Sequence, residues 1–152
     1  MGAGKTTVGQ LLAAKRGLPF LDSDTVIEDR AGRPIRQIFA DDGEPAFREL
    51  EHQVIAELLA GPEAILALGG GAVGHPGTRS LLASVPVVYL RVSCAEALVR
   101  VGGDAGRPML AGDVEALHQR RLPLYGSVAT ITVDTTARVP EDIAVEILAA
   151  LA

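Results

Sequence analysis

Hydrophobic residues recur along this chain with two different spacings, and their alternation predicts helices interleaved with strands. Apolar residues three or four positions apart, as at Phe47, Leu50, Val54 and Leu58, are typical of a helix with one buried face. Short runs rich in apolar and β-branched residues are typical of buried strands, and Val85–Val92 is the strongest of them. The pattern predicts helices at Thr6–Arg16, Thr25–Ala31, Pro34–Ala40, Pro45–Leu59, Pro76–Ala83, Ala95–Val101, Val114–Arg121 and Pro140–Leu151, and strands at Leu18–Leu21, Ala64–Leu68, Val85–Val92 and Ala129–Val133.

This order of elements predicts an α/β fold with a parallel sheet covered by helices on both faces. The chain has 152 residues and a hydrophobic content of 48%, so we expect a single domain over residues 1–152. The stretch 102–113 is polar and glycine-rich and contains Arg107. It is the segment where we expect a lid.

The charge balance and the cysteine count narrow the range of partners and compartments. A net charge of −5 argues against nucleic acid or an anionic membrane as the main partner. No apolar run approaches the ~20 residues that a membrane span needs. Cys94 is the only cysteine of the sequence and cannot form an intrachain disulfide, which fits a reducing cytosol. We therefore expect a cytoplasmic monomer that acts on a small molecule.

The first residues, Gly2-Ala3-Gly4-Lys5-Thr6-Thr7, match the end of the phosphate-binding pattern G-x-x-x-x-G-K-[ST]. In such a loop the backbone N–H groups surround the β-phosphate, the lysine reaches the β- and γ-oxygens, and the hydroxyl of Thr6 ligates Mg²⁺. The alternative is a chance match in a chain rich in Gly and Ala. The helical pattern that follows at once favours a nucleotide site, since a helix N-terminus attracts phosphate.

Two further polar segments directly follow predicted strands. They are Asp22-Ser23-Asp24 and Gly69-Gly70-Gly71. In parallel sheets ligands bind beyond the carboxyl ends of the strands. One aspartate can serve Mg²⁺ and the other a substrate hydroxyl, although helix capping by one of them is the alternative. The glycines allow a close approach of backbone to ligand, and a plain turn is the alternative.

Three arginines are candidate anion ligands, but none is compelling by itself. Arg48 and Glu51 are three positions apart, which also suits a pair on a helix surface. Arg107 lies in the expected lid, and the alternative is that it is a solvent-exposed arginine without a role in binding. Arg121 at a predicted helix end has complementation of the helix dipole as its alternative.

Taken together, these segments resemble the shikimate kinase family over essentially the whole chain. The matching segments are MGAGKTTVGQLLA, FLDSD, IRQIFADDGEPAFRELE, LALGGGAV, VVYL, GRPML, RLPLY and VDT. The resemblance implies transfer of a phosphoryl group from ATP to the 3-hydroxyl of shikimate, in chorismate and aromatic amino-acid synthesis. It also implies a P-loop NTPase fold of the nucleoside-monophosphate-kinase type, with three α/β/α layers and the strand order 2-3-1-4-5.

The resemblance further implies roles for individual residues. Asp24 would bind shikimate hydroxyls and act as the base, and Glu51 would orient Arg48. The implied catalytic residues are Lys5, Asp24 and Arg107. The implied shikimate ligands are Asp24, Arg48, Gly69, Gly70, Gly71 and Arg121. The implied nucleotide ligands are Gly2, Ala3, Gly4, Lys5, Thr6, Thr7, Arg100, Arg107 and Pro140. For Mg²⁺, the resemblance implies that Thr6 is a direct ligand and that Asp22 contacts the ion through its water shell.

The first glycine of the phosphate-binding pattern would lie two positions before Met1, and the family's first strand before that. We therefore expect a misplaced start or an incomplete sequence, which N-terminal sequencing of the natural protein would test. In the family this strand is central, between the strands at 64–68 and 85–92, so its loss would leave a slot in the sheet. A polypeptide with such a slot is expected to fold poorly or not at all.

Two other functions stay open at this point. Gluconate kinase, or another small-molecule kinase of the same fold, would also need a carboxylate clamp, although the Asp-x-Asp and the triple glycine favour shikimate. The second alternative is a protein that binds nucleotide but has lost catalysis, and only the missing first strand favours it. Retention of Lys5, Asp24, Arg48, Arg107 and Arg121 argues against decay.

Overall fold

The computed structural model describes residues 4–92 and 111–152, with side chains from 115 onward in the second range. Several predictions from the sequence lie outside these ranges. They are the helix Ala95–Val101, the greater part of the lid at 102–110, and the site residues Gly2, Ala3, Arg100 and Arg107.

The described ranges contain helices and strands in alternating order. The helices are α1 (Lys5–Arg16), α2 (Ser23–Ala31), α3 (Ile35–Asp42), α4 (Glu44–Ala60), α5 (Pro76–Leu82), α6 (Ala111–Val128) and α7 (Pro140–Leu151), with a 3₁₀ turn at Ala72–Gly74. The strands are β1 (Phe20–Asp22), β2 (Ile65–Ala67), β3 (Val88–Arg91) and β4 (Ile131–Asp134). The strands are shorter than their apolar runs, although residues next to them, such as Pro19 and Val87, still accept backbone hydrogen bonds from the neighbouring strand.

The predicted end of one helix is wrong. The sequence pattern predicts a helix ending at Arg121, whereas α6 continues to Val128 with Pro123 inside it. Proline removes one helical N–H donor and ordinarily ends or kinks a helix. Here the residues beyond it are fixed by a tertiary contact, since the Tyr125 hydroxyl donates a hydrogen bond of 2.7 Å to the carbonyl oxygen of Gly70. Arg121 therefore lies within the helix, and residues 111–113 of the expected lid are helical.

The strands form two parallel pairs. β1 pairs with β2, from Phe20 opposite Ile65 to Asp22 opposite Ala67. β3 pairs with β4, from Val88 opposite Ile131 to Arg91 opposite Asp134. Among the residues described, β2 and β3 do not pair, so the strands form two separate two-stranded sheets. These are the neighbours that the order 2-3-1-4-5 predicts when strand 1 is absent.

An apolar cavity of about 440 Å³ lies between the two sheets, and we call it the interstrand slot. Helix α1 lines it together with α4 and α7 and with both inner strands. Its lining includes Val8, Leu12, Leu58, Ile65, Val88, Leu90 and Ile147. Lys5, Gly69 and Gly70 also line it, so the slot leads to the carboxyl ends of the strands. The predicted slot is therefore present.

Two apolar clusters support the two halves of the molecule. One packs α1 and α7 against the strands, with Val8, Leu12, Val133, Ile143, Ala144 and Ile147 buried. The other joins α2, α3 and α4 through buried Ile27, Ile38, Phe47 and Val54. The second cluster fixes the helix that carries Arg48 and Glu51. Among the described helices, none combines the length and apolar character needed to cross a bilayer.

Candidate active site

Asp22 and Asp24 have different surroundings although they are two residues apart. Asp22 ends β1 and caps α2, because its Oδ1 accepts a hydrogen bond of 2.9 Å from the backbone N–H of Asp24. The capping alternative is thus confirmed for Asp22. The carboxylate of Asp24 lies instead beside Gly69, where a Cβ atom would be 2.8 Å from its Oδ1. Asp24 therefore faces the loop that follows the neighbouring strand.

Residues Gly69–Gly71, which we call the glycine loop, are surrounded by charged side chains. A Cβ atom on Gly69 would also lie 3.0 Å from Oε2 of Glu51. A Cβ atom on Gly71 would overlap the guanidinium of Arg48, whose Nη1 is 2.6 Å from that point. Two of the three glycines are thus needed for close packing against charged groups, which a plain turn would not require.

Arg48 and Glu51 form a largely buried ion pair rather than a surface pair. Nη1 of Arg48 donates a hydrogen bond of 2.9 Å to Oε1 of Glu51, whose side chain is 2% exposed. The guanidinium carbon of Arg48 also lies 5.1 Å from the ring centre of Phe47, close enough for a cation–π contact. These contacts hold the guanidinium against the glycine loop, where it can pair with an anion.

Burial changes the acid strength of both inner carboxyl groups. The pKa of Asp24 is raised, first by burial and then by the negative charge of Asp22, while the positive charge of Lys5 opposes the shift. The pKa of Glu51 is also raised by burial, and the hydrogen bond and charge of Arg48 oppose this. A raised pKa brings Asp24 nearer to neutral pH, where a general base works best.

Helix α6 supplies the opposite side of the site. The Arg121 guanidinium interacts with the Tyr125 hydroxyl, and its positive charge opposes the rise that burial causes in the pKa of Tyr125 and of Glu51. Tyr125 follows Arg121 by four positions, so both side chains lie on one face of α6. Tyr125 was not predicted as a site residue from the sequence, and neither was Ser23, whose Oγ accepts a hydrogen bond of 3.3 Å from the N–H of Gly69. The i, i+4 spacing within RLPLY was the available signal for Tyr125.

The expected nucleotide end lies at the start of α1. Gly4 has a φ of 81°, a left-handed conformation that favours glycine, and the helix begins at Lys5 as the phosphate-loop pattern predicts. Thr6 and Thr7 are exposed in its first turn. Pro140 begins α7 after the loop that follows β4, and its place beside the adenine stays a prediction.

The donor set suits a magnesium ion that is bound mainly by water and phosphate. No group of three His, Cys, Asp or Glu side chains within 4–92 and 115–152 could hold a metal ion by itself. Mg²⁺ usually keeps several waters and takes one or two protein ligands plus substrate phosphates. The hydroxyl of Thr6 and the carboxylate of Asp22 are oxygen donors of the kind that Mg²⁺ takes, and their part in binding it stays a prediction.

A family model described as Shikimate kinase matches residues 1–152, the whole chain. The chain belongs to the shikimate kinase family. The shikimate kinase of Salinispora arenicola is 51% identical over 156 aligned positions, which cover 99% of this chain and 93% of that protein. Shikimate kinase from Acinetobacter baumannii, solved in complex with shikimate, has a TM-score of 0.94 and 39% identity, and the match covers 99% of this chain and 88% of that one.

A second kind of kinase shares the fold less closely. A gluconokinase from Sinorhizobium meliloti 1021 has a TM-score of 0.63 and 26% identity, with 99% of this chain and 86% of that chain covered. The family and the P-loop kinase fold predicted from the sequence are confirmed by these matches. The parts assigned to individual residues stay predictions.

Proposed function

We propose that the natural protein with this sequence transfers the γ-phosphoryl group of ATP to the 3-hydroxyl of shikimate, giving shikimate 3-phosphate and ADP on the route to chorismate. One observation carries the proposal beyond family membership: Asp24 and Arg48 lie against the same glycine loop, one at each end. The proposed base and the proposed carboxylate ligand thus lie at the two ends of one three-residue loop, as a small hydroxylated acid requires.

The charges of the site match those of shikimate, a small ring acid with several hydroxyl groups. Arg48 and Arg121 provide two guanidinium groups, and a guanidinium forms paired hydrogen bonds with a carboxylate. Asp24 and the backbone of the glycine loop provide partners for the hydroxyls. Glu51 fixes Arg48 by their hydrogen bond and balances its charge in the buried site.

The reaction needs positioning and charge stabilisation more than covalent help. The 3-hydroxyl oxygen forms a bond to the γ-phosphorus, the bond from that phosphorus to the β–γ bridging oxygen breaks, and Asp24 accepts the hydroxyl proton. Lys5 would stabilise the charge on the transferred group. When bound through Thr6 and the water shell of Asp22, Mg²⁺ would neutralise the phosphate oxygens. Arg107, outside the described residues, is predicted to approach the phosphates from the lid.

We further propose that the enzyme acts as a cytoplasmic monomer. The supporting observations are the net charge of −5 and the single cysteine. Both substrates are small soluble molecules, and the site as proposed uses residues of one chain.

Turnover of three competing acids tests the proposal. Release of ADP by the full-length natural protein would be followed with shikimate, quinate and gluconate in turn, with ATP and Mg²⁺ present. We expect turnover with shikimate and formation of shikimate 3-phosphate. Faster turnover with gluconate would establish the alternative kinase, whose structural relative is the more distant of the two reported. No turnover with any acid would favour a non-catalytic nucleotide-binding protein.

Replacement of Gly71 by alanine is expected to weaken shikimate binding without a backbone clash. The φ of Gly71 is −95°, which alanine accepts, but the new methyl group would displace the Arg48 guanidinium. Hydrogen bonds to charged groups contribute about 1.5–3 kcal/mol, so we expect KM for shikimate to rise roughly 10- to 100-fold. Steady-state kinetics would measure this.

Gly74→Ala is the matched control, because nothing lies within 4 Å of a Cβ atom on Gly74. It should leave KM for shikimate at the wild-type value. An unchanged KM in Gly71→Ala would show that Arg48 does not bind the acid from its observed position.

A further inference from the structure

The glycine loop is held from two sides by side-chain hydroxyl groups. The N–H of Gly69 donates to Oγ of Ser23 at the start of α2, and the carbonyl oxygen of Gly70 accepts from the hydroxyl of Tyr125 on α6 at 2.7 Å. The second bond is the shorter of the two and joins residues 55 positions apart in the chain. It connects the helix that carries Arg121 directly to the loop.

The hydrogen bond from Tyr125 determines the orientation of one peptide group. In a planar trans peptide the carbonyl and the following N–H point in opposite directions. With its carbonyl turned toward the Tyr125 hydroxyl, the Gly70–Gly71 peptide has the N–H of Gly71 turned away from that hydroxyl. Among the residues described, the N–H groups of Gly70 and Gly71 donate to no protein acceptor. They can therefore donate to a ligand oxygen.

Glycine would not keep this orientation by itself. A peptide between two glycines rotates at low cost, because neither residue has a side chain that restricts φ and ψ. Tyr125 is in turn fixed, since its ring packs against that of Tyr89 with the ring centres 5.1 Å apart. Burial raises the pKa of the Tyr125 hydroxyl, so it stays protonated and able to donate.

We propose that Tyr125 is a positioning residue for shikimate phosphorylation, whose hydroxyl fixes the Gly70–Gly71 peptide so that the N–H of Gly71 is presented to the acceptor substrate. The inference rests on the proposed function. Tyr125 acts through the loop and does not touch the reacting atoms. Its loss should affect binding of the ring acid and leave the nucleotide end, at the start of α1, unaffected.

Tyr125→Phe and Tyr89→Phe form a matched pair for the test. Each deletes one buried hydroxyl from the same pair of rings, but the Tyr89 hydroxyl has no hydrogen-bond partner in the described part of the chain. In the full-length natural protein, Tyr125→Phe is expected to raise KM and the calorimetric Kd for shikimate about 3- to 10-fold, the range of one lost hydrogen bond. KM for ATP should stay unchanged. Tyr89→Phe should match the wild type in all three constants.

The outcomes separate a positioning role from a structural one. If Tyr125→Phe raised KM for ATP as much as KM for shikimate, or if Tyr89→Phe gave the same shift, the hydroxyl would be structural and the inference overturned. The Tyr125 hydroxyl also interacts with Arg121, so the calorimetric Kd for shikimate would be measured for Tyr125→Phe in an Arg121→Ala background as well. The same rise there is expected for an effect through the loop, whereas no further rise would place the effect on Arg121 and overturn the inference. If the wild type turned shikimate over and Tyr125→Phe had the same KM and Kd for shikimate, this inference would be overturned and the proposed function would stand. A wild-type protein that does not turn shikimate over would overturn the proposed function and this inference with it.

Discussion

Asp24→Asn is expected to lower kcat for shikimate phosphorylation about 10²- to 10⁴-fold, the usual contribution of a positioned general base. Asparagine has the size of aspartate and keeps a hydrogen-bonding oxygen, but it cannot accept the proton of the 3-hydroxyl. KM for ATP should change little, since the nucleotide is predicted to bind at the start of α1. Steady-state ADP release, with shikimate and ATP varied separately, would measure these effects.

The stability of the same variant separates catalysis from folding. The raised pKa of Asp24 means that burial disfavours its ionised form, so the neutral amide should leave the melting temperature unchanged or higher. Asp29→Asn makes the same change at an exposed position of α2 and should keep full activity. Wild-type kcat in Asp24→Asn would remove Asp24 from the role of base.

A polypeptide of these 152 residues alone is expected to show no cooperative unfolding transition. In the described structure, the inner edges of β2 and β3 have no strand partner, and the interstrand slot between them is apolar. Filling the slot with five or six apolar residues, at roughly 1.5–3 kcal/mol each, would contribute on the order of 10 kcal/mol. That is comparable to the roughly 5–15 kcal/mol by which a whole domain is stable.

Thermal unfolding followed by circular dichroism would test this expectation. The comparison is the same polypeptide extended at its N-terminus by an apolar strand-forming segment and a loop taken from a close relative. The extended protein should unfold cooperatively, because one parallel strand in the slot would pair with both β2 and β3. A sharp transition at the same temperature in both polypeptides would contradict the argument.

The sequence predicted the helical half of the fold better than the strands. Helices such as α1 and α7 have clear sequence signals at their ends. Glycine is the usual residue after a helix, and Gly17 follows α1 with a positive φ. Proline favours the first position of a helix, and Pro140 begins α7. The sequence pattern could not show that α6 passes through Pro123, because the stabilising contact comes from Gly70, 55 positions before Tyr125. Contacts of that kind depend on tertiary structure.

The site was predicted from motifs, but its interactions were not. Asp24, Arg48 and the glycine loop do converge, as expected for segments that follow neighbouring strands. The spacing of Arg48 and Glu51 alone suited a surface pair equally well, whereas in the structure Glu51 is buried and lies against the glycine loop, a tertiary contact that the spacing could not show. Ser23 and Tyr125 gave no strong signal, because single hydroxyl groups are common along a chain and their partners, Gly69 and Gly70, lie far away in sequence.

A crystal structure with shikimate, Mg²⁺ and a non-hydrolysable ATP analogue would test the central claim most directly. We predict the shikimate carboxylate at Arg48 and Arg121, and the 3-hydroxyl within hydrogen-bond distance of Asp24 and in line with the γ-phosphorus. A ring acid bound away from the two arginines, or with its 3-hydroxyl turned away from the triphosphate, would contradict the account.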